Sequence, residues 1–157
     1  MTPAGYSAIM LRKLNNNQGF TLLELLLSVA IISALAGLSL PVYRTLIAKN
    51  DLDVAATTIA SSLRRAQILS QSVDGDTTWG VKAQSGSITL FKGTSFATRD
   101  TDFDELFDLS TAIAVAGVSE IVFTKFTGLP QTTGSINLST EADGRSVTVN
   151  EQGTVNF

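Results

Sequence analysis

A run of acidic residues near the middle of the chain has the spacing of a metal-binding loop. Oxygen-bearing side chains alternate over 100–105 and Asp108 follows, as ligands do at the start of a calcium loop. The glycine that such a loop needs at its sixth position is replaced by Glu105, and Thr111 stands where a bidentate glutamate belongs. We therefore favour a solvated acidic loop leading into a short helix, and calcium binding stays open as the alternative. The inward-facing residues of that helix are expected to be Phe103, Leu106 and Phe107.

Other groups that could support catalysis are missing or incomplete. The chain has no cysteine and no histidine, which removes thiol nucleophiles, Ser-His and Cys-His pairs and the usual zinc ligand sets. Residues 93–97 approach a nucleophile-elbow pattern, but they end in Ala97, and Ser95 has no conventional base. No glycine-rich phosphate loop occurs, and nothing places two carboxylates in one cleft. We expect no enzyme activity, no cofactor and no metal site.

The most unusual titratable residue is Glu24, which is the single charge in the apolar run 20–40. A helix of that length is roughly 32 Å long, which matches the ~30 Å hydrocarbon core of a bilayer. The run therefore predicts a transmembrane helix, in which a carboxylate costs about 2.5 to 3.5 kcal/mol. We favour a functional Glu24 with a charged partner over a residue that only meets the positive end of the helix dipole at the interface.

The residues before this run differ from an ordinary secretory signal. Arg12 and Lys13 precede a polar stretch and then Gly19, so the small residue comes before the apolar run rather than after it. Further along, Gly37 and Pro41 weaken the helix, because glycine costs ~1 kcal/mol and an interior proline ~3 kcal/mol relative to alanine. We expect the segment between these two residues to be able to kink or melt on packing.

Residues 19–24, which read Gly-Phe-Thr-Leu-Leu-Glu, together with the apolar run and Pro41, resemble the N-terminus of type IV prepilins and type II secretion pseudopilins. The resemblance implies that a prepilin peptidase cuts between Gly19 and Phe20 on the cytoplasmic side and methylates the new amine of Phe20. The leader is then lost, and the apolar helix is kept as a membrane anchor and later as filament core. Glu24 is implied to pair with the N-terminal amine of a neighbouring subunit.

Beyond Pro41 the hydrophobic pattern becomes amphipathic and predicts a helix with one buried stripe. The helix is expected to end at about Ser72, before the turn-forming residues 74–76. The stripe comprises Val42, Leu46, Ala56, Ile59, Leu63 and Ala66.

From Thr77 onward the period of the pattern changes to two. Residues 79–82 and 88–91 flank a turn and predict a hairpin, and further strands are predicted at 121–126, 135–139, 145–150 and 154–157. The last three strands share one apolar face, formed by Ile136, Leu138, Val147, Val149, Val155 and Phe157. We expect an antiparallel sheet whose apolar face packs against the amphipathic helix, which is an α+β fold.

Hydrophobic spacing in this region is similar to that of the GspH/FimT minor pilins. The similar stretches are 62–69, 121–123 with Gly128, and 145–157 with Gly153. The resemblance implies a pilin-like α+β fold, in which a long N-terminal helix, transmembrane and then amphipathic, packs on an antiparallel β-sheet head. The expected organisation is a leader at 1–19, a transmembrane and filament-core helix at 20–40, an amphipathic helix at 41–76 and a β-rich globular head at 77–157.

The resemblance implies a minor pilin-like structural subunit of a type IV pilus or a type II secretion pseudopilus. Its implied partners are prepilin peptidase, other pilin or pseudopilin subunits and the inner-membrane assembly platform. The chain is expected to cross the bacterial inner membrane once, with its head outside the cytoplasm, before it joins the filament.

A DNA-binding minor pilin for DNA uptake is the alternative function. Gly144-Arg145 is similar to the DNA-binding loop of some FimT pilins, although Val147 stands where a second basic residue is wanted. Residues 73–157 hold five basic and eleven acidic residues, a net charge of −6, whereas phosphate contacts need clustered cations. Charge therefore makes nucleic-acid binding the less favoured function.

Overall fold

The computed structural model describes residues 19–141 and 143–157, with the backbone alone described for 38–42 and 44. The predicted leader, apart from Gly19, lies outside the described residues. The chain divides into two compact units, Met1–Leu40 and Pro41–Phe157. Its elements are α1 (Leu22–Gln71), β1 (Trp79–Gln84), β2 (Ser87–Lys92), β3 (Asp100–Asp108), β4 (Ala114–Gly117), β5 (Glu120–Phe123), β6 (Gly134–Ser139), β7 (Gly144–Val149) and β8 (Val155–Asn156).

The second unit opens with the amphipathic part of α1, whose buried stripe is largely the predicted one. Ala56, Ile59, Leu63 and Ala66 are at most 2% exposed, and Leu52, Ala55 and Ala60 extend the same face at helical spacing. Leu46 was expected in the stripe and is instead 61% exposed, because the buried face begins only at Leu52. The side chain of Val42 lies outside the described residues. α1 ends at Gln71, as the turn-forming residues predict, and Val73 then adopts a left-handed backbone conformation.

Among the described residues, eight strands form two antiparallel sheets rather than the single predicted sheet. The first sheet has the order β3-β2-β1-β5 and the second has the order β4-β6-β7-β8. The predicted hairpin is confirmed, since β1 and β2 pair from Trp79↔Lys92 to Gln84↔Ser87 across a two-residue turn at Ser85-Gly86. The second sheet contains the three predicted C-terminal strands. Helix α1 and both sheets contribute to one apolar core, so the α+β class is confirmed.

One residue of the predicted apolar face does not join the core. Ile136, Leu138, Val147, Val149 and Val155 are buried, but Phe157 is 61% exposed. β8 ends at Asn156, so Phe157 follows the strand, and its ring lies 5.6 Å from the guanidinium of Arg64 on α1.

The acidic segment 100–108 is strand β3, and the predicted loop and short helix are wrong. Successive side chains of a strand point to opposite faces, so neighbouring carboxylates meet different partners. Glu105 pairs with Arg65 of α1, and Asp104 pairs with Arg99. Phe103 and Leu106 are exposed, while Phe107 is partly buried against the core. β3 lies at the edge of its sheet, where an acidic strand is tolerated because one side needs no strand partner.

The face of the first sheet that points away from α1 has an apolar layer of its own. Phe91 and Val122 flank Gly80 on neighbouring strands, and both are at most 5% exposed although they stand outside the main core. The ring of Phe96 packs edge-on against Phe91 at 5.6 Å, and the guanidinium of Arg99 lies 3.8 Å from the Phe96 ring. The loop after β2 thus covers this face.

Gly80 is the position in this layer where a larger side chain cannot fit. A Cβ there would lie 2.7 Å from Phe91 Cζ and 2.9 Å from the carbonyl oxygen of Ile121. We predict that Gly80→Ala lowers the free energy of unfolding by about 1 to 3 kcal/mol, as overpacking does in dense cores. Urea unfolding followed by the fluorescence of Trp79, the single tryptophan, measures it. Gly144→Ala is the control, because its nearest contact is 3.3 Å, and equal losses in both variants would contradict the crowding argument.

Candidate functional site

Thr21 caps the N-terminus of α1 and fixes the residue that carries the charge of the apolar run. The backbone N–H of Glu24 donates to Thr21 Oγ1 at 3.1 Å, and the N–H of Leu25 donates to the carbonyl of Thr21 at 3.1 Å. Such a cap stabilises a helix by about 1 kcal/mol. This role was not predicted from the sequence, although the spacing Thr-x-x-Glu before an apolar run is a capping signal.

The cap places Glu24 in the first turn of α1, with its side chain exposed. A carboxylate there is favoured by the positive end of the helix dipole. No basic side chain among residues 19–141 and 143–157 forms a salt bridge with Glu24. Its carboxylate therefore stays available for a cation from outside the described chain.

Large apolar side chains surround this single charge, and the residues that the structure describes leave them exposed. Their exposed fractions run from 51% to 84%, for Phe20, Leu22, Leu23, Leu25, Leu26, Leu27, Val29, Ile31, Ile32 and Leu35. An apolar surface of this extent marks a contact with a membrane or another protein.

Within the described part of the chain, no helix has both the length and the apolar character that crossing a membrane requires. The predicted transmembrane helix 20–40 ends in three residues whose side chains lie outside the described ones, and it stays a prediction. Helix α1 continues through Gly37 and Pro41. The kink between them on packing stays a prediction.

The Gly19-Phe20 peptide bond lies before α1 in irregular backbone. Both residues are exposed, and a Cβ on Gly19 would meet no atom within 4 Å. The bond is therefore accessible to a peptidase.

Residues 14–40 match the family model of the prokaryotic N-terminal methylation motif. The motif indicates a type IV pilin-like protein that is processed at its N-terminus, and it implies a membrane-anchored N-terminal segment. Processing by prepilin peptidase and assembly with other pilins are consistent with this class. No solved structure matches the chain.

Arg145, the candidate DNA contact, is held by two carboxylates. Its Nε donates to Asp53 Oδ1 of α1 at 2.7 Å, and its Nη1 lies 3.2 Å from Asp143 Oδ1. The hydrogen bond to Asp53 is the main cause of a raised pKa for Arg145. The pKa of Asp143 is lowered, chiefly because the N–H of Gly144 donates to its carboxylate and further because of Arg145.

The other groups considered for catalysis or metal binding are not assembled into a site. Among the residues described, no three side chains of the metal-ligating acidic type come together to hold an ion. Ser95 Oγ lies 2.8 Å from Thr98 Oγ1, which is another hydroxyl rather than a base. The expectation that the protein is not an enzyme stays a prediction.

We predict that the mature chain begins at Phe20 with a methylated amine, because Gly19 is the exposed small residue directly before the capped helix. N-terminal sequencing and mass spectrometry of the membrane-bound protein measure both features. Gly19→Val, which adds a branched side chain at the bond to be cut, should leave the leader attached, whereas Thr21→Ser, which keeps the cap, should be processed normally. A mature chain that begins at another residue would overturn the prediction.

Proposed function

We propose that the protein is a minor pilin-like structural subunit of a type IV pilus or a type II secretion pseudopilus. The observation that carries this proposal is the Glu24 carboxylate, which has no salt-bridge partner among the described residues and lies within an exposed apolar helix surface. Such a helix needs apolar neighbours, and its one charge needs a cation among them. A bundle of identical or related helices supplies both when each carries a free N-terminal amine.

The methylation motif supports the same arrangement. Cleavage after Gly19 creates an amine on Phe20, four residues before Glu24. The carboxylate of one subunit and the amine of the next can then pair inside the filament, where each charge removes the cost of burying the other. This pairing selects subunits whose leader has been removed.

Before assembly the apolar helix is proposed to lie in the bacterial inner membrane as a single pass. The run 20–40 is long enough to cross the hydrocarbon core, and its apolar side chains then contact lipid instead of water. The head, residues 77–157, lies outside the cytoplasm in this proposal. The assembly platform in the same membrane passes the subunit to the filament.

Within this class, a GspH/FimT-like minor subunit is favoured over a major pilin. The chain has no cysteine, so the disulfide-closed C-terminal loop of many major type IV pilins is absent. The two-sheet head ends in the short strand β8, which is held by β7 and by α1 through Arg64, whose Nη2 donates to the carbonyl of Val155 at 3.3 Å.

The first test of the proposal replaces Glu24. We predict that Glu24→Ala and the isosteric Glu24→Gln leave membrane insertion intact, because removing a charge lowers the cost of the apolar helix in lipid. Incorporation into sheared filaments should fall at least about tenfold, as expected when one partner of a buried charge pair is lost. Immunoblots of the membrane and filament fractions measure both quantities.

Ser33→Ala is the matched control, since its hydroxyl only donates to the carbonyl of Val29 on the same exposed helix. Wild-type levels of Glu24→Gln in filaments would contradict the assembly role. Loss of Glu24→Ala and Glu24→Gln from the membrane fraction would contradict the insertion argument.

The geometry of Arg145 disfavours the DNA-binding alternative. Its guanidinium is engaged by Asp53 and Asp143, so a phosphate would have to displace two carboxylates. We predict no binding of duplex DNA at physiological salt by fluorescence anisotropy of the full chain in detergent. Asp53→Asn and Asp143→Asn together release Arg145 and serve as the comparison. Micromolar affinity of the wild type that falls steeply with salt would revive the DNA-uptake function.

A further inference from the structure

A groove runs along one flank of α1 in the second unit. It consists of a cavity of about 190 Å³ and a second of about 140 Å³, which share Asp51 and Ser110 as lining residues. Ile47 and Val54 line it from α1, and Leu109 and Ile113 line it from the segment between β3 and β4. We call this feature the Asp51 groove.

The walls of the Asp51 groove are mainly aliphatic, and they include exposed side chains. Ile113 and Leu109 are at most 7% exposed, whereas Ile47 and Val54 are 43% and 56% exposed. Each cavity is smaller than the roughly 300 to 1,000 Å³ typical of a site for a complete small-molecule ligand. Cavities of this size suit individual side chains of a polypeptide.

Two carboxylates without partners also line this groove. Asp51 is half-buried and Asp108 is exposed, and neither forms a salt bridge with any residue in the described ranges. The opposite flank of α1 is different, because Asp53 there is neutralised by Arg145 at 2.7 Å. Arg145 thus neutralises the acid on the Asp53 flank, whereas no described residue does so for Asp51 or Asp108.

An aliphatic groove with two free carboxylates is complementary to lysine or arginine, whose aliphatic stems bury while the charged head meets an acid. Overall repulsion disfavours a second copy of this chain, since residues 41–157 hold nine basic and thirteen acidic residues, a net charge of −4. We propose that the Asp51 groove docks a segment of a different protein chain, in which a lysine or arginine is flanked by aliphatic residues. That this chain is another filament subunit rests on the proposed function.

Site-specific photo-crosslinking tests this docking in cells that produce the full chain. A photoreactive phenylalanine analogue replaces Ser110 in the groove, or Thr57 on the opposite flank as the position control. The adduct at position 110 is digested, and the captured segment is sequenced by mass spectrometry. We expect a segment of another protein with a basic residue between aliphatic residues, and no such segment at position 57.

Charge variants then test whether the carboxylates hold the segment. Asp51→Asn and Asp108→Asn together should lower the adduct yield about tenfold, the low end for lost charge-assisted hydrogen bonds. Asp102→Asn, which removes an exposed acid outside the groove, should leave the yield unchanged. Asp51→Lys should abolish the adduct, and exchange of the captured basic residue for aspartate should restore it. Unchanged unfolding of each variant, followed by Trp79 fluorescence, confirms that the fold is intact.

Several results would overturn the proposal. The first is the absence of an adduct at position 110. The second is capture of a second copy of this chain or of a segment without a basic residue. The third is an adduct yield that stays unchanged when Asp51 and Asp108 are replaced. Capture of a basic apolar segment from a protein outside the filament would support the groove and contradict the filament assignment. The Glu24 variants test that assignment separately, since they leave residues 47–113 unchanged.

Discussion

Helix α1 carries two apolar surfaces, and the described residues cover only one of them. From Leu52 to Ala66 the stripe facing the sheets is at most 3% exposed, whereas the large apolar side chains from Leu22 to Leu35 are more than half exposed. Burying apolar area stabilises by about 25 cal/mol per Å², so the uncovered surface is a strong drive toward lipid or toward other helices. The head is therefore a folded unit joined to a segment that needs a non-aqueous environment.

The charged residues of α1 also divide into two groups, those with a partner elsewhere in the described chain and those without one. Arg64, Arg65 and Asp53 reach partners on the sheets, and these contacts add to the packing of the helix against the core. Glu24 and Asp51 have no such partner among the described residues, and each lies where apolar surface is also uncovered. An unpaired charge and uncovered apolar surface therefore coincide at the two places on this helix for which contacts are proposed.

Strong periodicity made much of the fold predictable from sequence. The stripe of α1, the β1-β2 hairpin and the C-terminal strands follow from spacing, because each buries a regular set of apolar residues. β3 was missed because its acidic residues favour a loop in the sequence pattern, whereas the structure neutralises Glu105 with Arg65, 40 residues earlier in the chain, and Asp104 with Arg99. β4 was missed because its sequence Ala-Val-Ala-Gly has too little alternation. The N-terminal residues were recognisable from their spacing, but the capping role of Thr21 needed its hydrogen bond to Glu24.

The acidic edge strand β3 affects how copies of this protein behave when they lie close together. An edge strand of nine residues offers unpaired backbone groups to any similar strand, and this is the usual start of sheet-to-sheet aggregation. Here five of the nine side chains are carboxylates, so two such edges in adjacent molecules repel each other before their backbones can pair. The carboxylates of β3 thus oppose edge-to-edge pairing through this strand when copies of the protein lie close together.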